Sequence, residues 1–342
     1  MGDAKIALCL AGYSSEMGAW ATDFEGLRVL AVAGGVGGAK MAAGLEGAAV
    51  GGELSVVVNT ADDFELWGLH ISPDLDTVMY TLAGLANPET GWGIRGETFA
   101  ALGMISTYGE DPWFKLGDRD FATHILRTRR LRSGESITEV TVGLCGALGV
   151  ESRVLPMCDE PVVTVIGTPE GWLDFQEYFV GRGQRDEVTG VEFRGIADAR
   201  PTEEVLEEVT GAEVIVLCPS NPVVSIGPVL AVPGMREALG ASSAPKVAVS
   251  PVVGGEALKG PAGRMLTSLG HESSATGVAK LYAGLVDGFV IDRVDEQERG
   301  AIESLGMEVL VTESVMKDED DRVRFGREVL EFGGGLSSGG VG

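Results

Sequence analysis

The stretch LRVLAVAGGVGGAKMAAGL, Leu27 to Leu45, sets an apolar run against four glycines in five positions, Gly34, Gly35, Gly37 and Gly38. Lys40 and an alanine-rich segment follow. Strand, glycine turn and helix in that order bring backbone N–H groups to a helix N-terminus, where they collect an anion. Two familiar fingerprints do not fit. A G-x-G-x-x-G pattern begun at Gly35 and Gly37 needs glycine where Lys40 stands. A P-loop counted from Gly34 needs glycine and Ser/Thr where Ala39 and Met41 stand. The expectation is a phosphate-binding turn that serves neither a dinucleotide nor an ordinary ATP site, with Lys40 adding a point charge. The competing role for the same glycines is close packing of strand on helix.

Outward from this unit, apolar runs recur at Val29–Ala33, Leu54–Val58, Val214–Leu217, Val247–Val249, Phe289–Ile291 and Val309–Val311. Helical patterns such as Thr202–Val209 and Ser274–Leu285 lie between most of them. That alternation predicts an α/β fold, a Rossmann-like parallel sheet covered by helices. Residues 85–150 read as helical and charged, and residues 161–196 as an antiparallel ribbon. They predict an inserted smaller α+β cap domain spanning 85–210, between core segments 27–84 and 211–332. Residues 1–26 read as an N-terminal appendage, and 333–342 as a Gly/Ser-rich tail.

Composition narrows the partners. The chain of 342 residues carries a net charge of −25, and only seven of its 26 basic residues are lysine. So acidic a surface repels nucleic acid and anionic lipid, so neither is expected as a partner. An acidic, lysine-poor composition also suits a high-salt cytoplasm, where screening removes the self-repulsion, and a halophilic archaeal source is the corresponding expectation. The four cysteines contain no C-x-x-C pair, and the three histidines are dispersed, which argues against a zinc ribbon or a histidine-based metal site. No run approaches the ~18 apolar residues of a membrane span, and the N-terminus lacks a signal-peptide pattern. The expected location is cytoplasmic.

In open α/β sheets the ligand sits at the carboxyl ends of the strands, so the loops there carry the candidates. In residues 56–84, Asn59 and Thr60 end a strand, and Asp62, Asp63, Asp74 and Asp76 follow. Carboxylates so placed suit a hard cation such as Mg²⁺, which takes a few carboxylates plus phosphate oxygens; one of Asp74 and Asp76 also suits a helix N-cap. Residues 111–134 hold Lys115, Arg119, Arg127, Arg129, Arg130 and Arg132, the densest basic stretch of the chain. Lys115 and Arg119 are its candidates for an anionic ligand. His124, four residues after Asp120, reads as a structural Asp–His pair. Ser220 and Asn221 offer polar groups in a proline-fixed turn. No G-x-S-x-G elbow supports a serine nucleophile.

The motifs AGGVGGAK, VVNTADD, SPDLDTVMYTLAG, FKLGDRDFATH, VLPMCDE, CPSNPVVSIGPVLAVPGMR, VSPVVGG and GVAKLY together resemble the 2-phospho-L-lactate transferase (CofD) family of coenzyme F-420 biosynthesis, over roughly residues 28 to 330. The resemblance implies transfer of a phosphoenolpyruvyl or phospholactyl group from a guanosine-diphosphate-activated donor to the deazaflavin FO, with release of GMP and use of Mg²⁺. It also implies a homodimer. The corresponding assignment puts the donor on Gly34, Gly35, Gly37, Gly38, Lys40, Asn59, Ser220 and Asn221. FO falls near Asp76, Lys115, Asp118 and Arg119. Asp63 and Asp76 become the metal ligands and catalytic carboxylates. The rival reading is a non-catalytic regulator that binds nucleotide sugars, of the gluconeogenesis-factor type, whose glycine turn and carboxyl-end loops are similar.

Overall fold

The computed structural model describes residues 24, 26–49, 51–257 and 262–338. Apart from Phe24 and Gly26, the segment read as an appendage lies outside the described residues. The strands are β1 (Arg28–Ala33), β2 (Glu53–Val58), the hairpin β3 (Phe64–Leu66) and β4 (Leu69–Ile71), β5 (Arg153–Pro156), and the ribbon β6 (Val163–Thr168), β7 (Gly171–Asp174) and β8 (Gly190–Arg194). After them come β9 (Val214–Leu217), β10 (Lys246–Val249), the small pair β11 (Val252–Val253) and β12 (Glu256–Ala257), β13 (Gly288–Asp292) and β14 (Glu308–Thr312).

Seven of them form one parallel sheet in the order β14-β13-β10-β9-β1-β2-β5. The six apolar runs are all in it. Alternate residues feed opposite faces, as the strand period requires: Leu30, Val32, Ile215 and Leu217 enter one core, and Val29, Ala31, Val214 and Val216 the other. Burial on both sides is why these strands read as unbroken apolar runs. The seventh strand, β5, comes from within the segment read as cap. It is four residues long and ends on Pro156, too short to stand out as an apolar run.

From β1 the chain builds outward through β2 to β5, then crosses back to lay β9 on the other side of β1. The order therefore reverses between β1 and β9, the place where such sheets leave a crevice beyond the strand ends. Helices α1 (Gly35–Ala48) and α2 (Pro73–Leu82) flank that crevice, and α3 (Ala100–Thr107), α4 (Asp118–Arg132) and α5 (Ile137–Ala147) cover one side. The antiparallel ribbon β7-β6-β8 rests on a separate small core of Ile166, Phe175, Tyr178 and Met265. The C-terminal helix Glu319–Ser338 lies on α1 so tightly that a Cβ on Gly44 would come within 2.3 Å of the Arg322 carbonyl oxygen. This helix runs through residues 333–338, which composition alone marked as tail, and Gly333 lets it pass close to Val214. No helix among the described residues is long and apolar enough to cross a membrane.

Candidate active site

The crevice between β1 and β9 is tied shut at its base by Ser220. The Gly34 amide donates to Ser220 Oγ at 3.1 Å, and that hydroxyl donates back to the Gly34 carbonyl at 2.8 Å. Each turn glycine has its own physical reason. Gly35 has φ +59, a left-handed conformation that costs other residues. A Cβ on Gly37 would lie 2.2 Å from the Pro219 carbonyl oxygen, and one on Gly38 2.5 Å from Ser220 Oγ. Packing of the two loops therefore demands these glycines whatever ligand is present. Of the turn's amides, Gly34 is committed to Ser220 and Gly35 to Asp74 Oδ1 at 2.7 Å. The first turn of α1 still faces a cavity of about 890 Å³ through Gly34, Gly35, Val36 and Gly37. A helix's first amides have no acceptor within it, so the dipole end remains suited to an anion. Lys40 reaches the same cavity and donates to the Met316 carbonyl at 2.9 Å.

Beside the turn lies a group of buried carboxylates. Asn59 donates to Asp74 Oδ2 at 3.0 Å and to the Val224 carbonyl, holding Asp74 against the turn. Burial pushes the Asp74 carboxyl up to about 6, against the stabilising hydrogen bonds from Asn59 and Gly35. Asp62 is raised well above the ordinary range by burial first and the charge of Asp74 second, and its Oδ1 has no hydrogen-bond partner. Asp63 is also raised by burial; its Oδ2 accepts from Ser72 Oγ at 2.7 Å and lies 3.0 Å from His70 Nε2. Asp62 and Asp74 line the cavity.

A second acidic group lies on α2 and α4. Asp76 is held by both terminal nitrogens of Arg127, one at 3.0 Å, and Arg127 is almost wholly buried. His124 Nδ1 lies 3.2 Å from Arg127 Nη1, and Tyr80 donates to Asp120 Oδ1 at 2.7 Å. The ligand atoms of Asp76, Asp120 and His124 all fall within 4.8 Å of one another. A guanidinium already neutralises Asp76, however, whereas the stabilising neighbours of Asp62 and Asp74 are neutral donors, Thr164 and Asn59 for the first and Asn59 and the Gly35 amide for the second. The uncompensated pair fits a hard cation better than the compensated triad.

The remaining wall is aromatic. Trp92, Trp113, Phe114, Phe175 and Phe179 line the cavity with Tyr80 and Gln176. Phe114 meets Phe64 edge-on at 4.9 Å between centroids, and Phe175 stacks on Phe179 at 5.3 Å. Such a surface suits a planar ring system.

Of the residues expected at the site, Gly34, Gly35, Gly37, Lys40, Asp76, Lys115, Ser220 and Asn221 line the cavity. Gly38, Asn59, Asp63, Asp118 and Arg119 do not. Asn59 and Asp63 stand one layer behind. Asp118 accepts from Thr98 Oγ1 and from the Ala100 and Ala101 amides, which fixes the start of α3. Exposed Arg119 donates to the Arg95 carbonyl at 3.0 Å. Neither Asp74 nor Asp76 is a side-chain N-cap; Ser72 holds that position and Pro73 begins the helix. Sequence reasoning read Asp120 and His124 as a structural pair, whereas both line the cavity, and it left out the aromatic wall. The signal for the last was available: aromatic residues make up only 6% of the chain, yet they recur at 113–114 and 175–179.

A family model described as 2-phospho-L-lactate transferase CofD matches residues 29–330. A phosphoenolpyruvate transferase of Streptomyces griseus is 42% identical over 312 residues, covering 90% of this chain and 98% of that protein. A 2-phospho-L-lactate transferase of Methanosarcina acetivorans is 39% identical over 308 residues, covering 90% and 98%. Among solved structures, a Bacillus halodurans protein of the UPF0052 family superposes with a TM-score of 0.60 at 16% identity, covering 89% of this chain and 99% of that one. That likeness speaks to the fold alone.

Proposed function

The chain belongs to the 2-phospho-L-lactate transferase CofD family, and from that premise we propose that it transfers a phospholactyl or phosphoenolpyruvyl group from a guanosine-diphosphate-activated donor to a hydroxyl of the deazaflavin FO. The observation that carries this reading is one cavity lined both by a helix N-terminus with carboxylates and by aromatic rings, surfaces that suit the two substrates. The donor's diphosphate lies against Gly34–Gly37 and Lys40, with Ser220 and Asn221 beside it, and the planar ring of FO lies among Trp92, Trp113, Phe114 and Phe175. The FO hydroxyl oxygen bonds to the phosphorus that bears the three-carbon acid. The anhydride bond to the nucleotide breaks, GMP leaves with that oxygen, and the hydroxyl proton is released.

Little covalent work falls to the protein in such a transfer; it positions groups and neutralises charge. Asp76, itself fixed by Arg127, orients the attacking hydroxyl by accepting its proton in a hydrogen bond. Asp62 and Asp74 are the residues that would hold Mg²⁺, with Asp63 and Asn59 supporting them, since Asp62 Oδ1 lacks any other partner. When bound, the ion would neutralise the diphosphate's developing charge.

Incubation with FO, Mg²⁺ and the two activated donors in competition tests the reading: GMP release with a product heavier by the phospho-acid is expected. No GMP release, with tight binding of a nucleotide sugar instead, would establish the regulator. We also infer pairing with a second copy, because α3 buries only Leu102 and leaves Phe99, Met104 and Tyr108 exposed around it. Sedimentation of a monomer at micromolar concentration would refute that.

A further inference from the structure

His124 is a buried side chain that this mechanism does not yet use, although it lines the cavity and is only 1% exposed. Its Nδ1 faces Arg127 Nη1 at 3.2 Å. A guanidinium only donates hydrogen bonds, so Nδ1 must accept, and the ring proton is on Nε2. That Nε2–H has no aligned acceptor: Asp120 Oδ1 is 3.3 Å away but out of line for a hydrogen bond. A donor left unmade in so buried a place is costly. Side by side, the cavity thus offers a donor, His124 Nε2–H, and an acceptor, the Asp120 carboxylate. Asp76 is close behind, with Oδ2 3.7 Å from His124 Nδ1.

A donor and an acceptor so paired match a hydroxyl group, which can satisfy both at once. A cation suits the place less well, since Arg127 already supplies positive charge there. We propose that His124 and Asp120 form a hydroxyl-binding pair that takes a second hydroxyl of the acceptor, next to the one that reacts. His124 donates to that oxygen and Asp120 accepts its proton in a hydrogen bond, which sets the reacting hydroxyl at Asp76. The inference rests on the transferase reading. It adds a specificity rule: an acceptor that lacks a second hydroxyl beside the reacting one is a poor substrate.

The test is a cycle of substrate and protein changes, with FO compared to an analogue that lacks the neighbouring hydroxyl. The wild type should lose about tenfold in kcat/KM on the analogue. His124→Asn, whose amide falls short of the Nε2 position, should lose about the same on FO and nothing further on the analogue. His124→Gln, whose amide reaches that position, should recover most of the loss. Equal use of FO and the analogue by the wild type overturns the inference even if no variant folds. So do losses that simply multiply in the His124→Asn protein, which would mark a packing role. So does metal-ion binding that is abolished by His124→Asn. A wild type that releases no GMP with FO at all overturns the transferase reading, and this inference with it.

Discussion

Two groups of buried carboxylates stand in one cavity wall and are handled in opposite ways. Asp76 is neutralised within the protein, by the guanidinium of Arg127. Around Asp62 and Asp74 the stabilising neighbours are neutral hydrogen-bond donors rather than a guanidinium, and burial raises both carboxyls. The first arrangement stabilises the fold and fixes a side chain in place. In the second, burial penalises the charged form of both carboxyls, a penalty that a bound cation would offset.

The largest effects should separate the two groups by sign. Asp74→Asn should cut turnover by about 10²–10³-fold, as for a lost electrostatic stabiliser. Asp62→Asn should also lose turnover, yet raise the stability of the ligand-free protein at neutral pH, since it removes a carboxyl whose charged form burial penalises. Steady-state kinetics and urea melts of each variant check both; a destabilised Asp62→Asn protein would break the contrast. Arg127→Leu should instead destabilise by about 3–5 kcal/mol, because it strands Asp76 as a buried charge.

The pH dependence follows from the same contrast. The folded Asp74 carboxyl sits near 6 against an ordinary value of 3.8. Between those values the native state binds more protons than the unfolded one, so this group's contribution falls as pH rises through the window. Comparison of wild-type and Asp74→Asn melts should therefore show a gap that closes toward pH 4 and opens toward pH 7. A gap constant with pH would contradict the burial argument.

Smaller effects probe the loops. Gly37→Ala places a methyl against the Pro219 carbonyl, so about 1–3 kcal/mol of stability should be lost, with KM for the donor raised as the crevice spreads. Asp118→Ala should be the mildest. It frees the start of α3, lowering the melting temperature slightly and leaving kcat unchanged, since Asp118 does not line the cavity.

Most of the fold is legible along the chain because its causes are local. Apolar runs of strand length, glycines after them and helical periods between them all depend on near neighbours, and six of the seven sheet strands announce themselves this way. β5 does not, since four residues ending in proline carry too little pattern. The glycine turn is equally legible, but its meaning is only half so. Gly37 and Gly38 are required by Pro219 and Ser220, some 180 residues away in sequence, and no local pattern distinguishes that need from phosphate binding.

The sequence by itself determined a parallel α/β sheet, a crevice with a glycine turn at its mouth, and a reserve of carboxylates beside it, because those follow from periodicity and turn chemistry. Only the tertiary structure decided which carboxylate is already neutralised. Arg127 is 51 positions from Asp76, and Coulomb energy depends on distance through space rather than along the chain. Four similar aspartates between positions 62 and 76 become one anchored side chain, one supporting partner and a pair with no guanidinium to neutralise it.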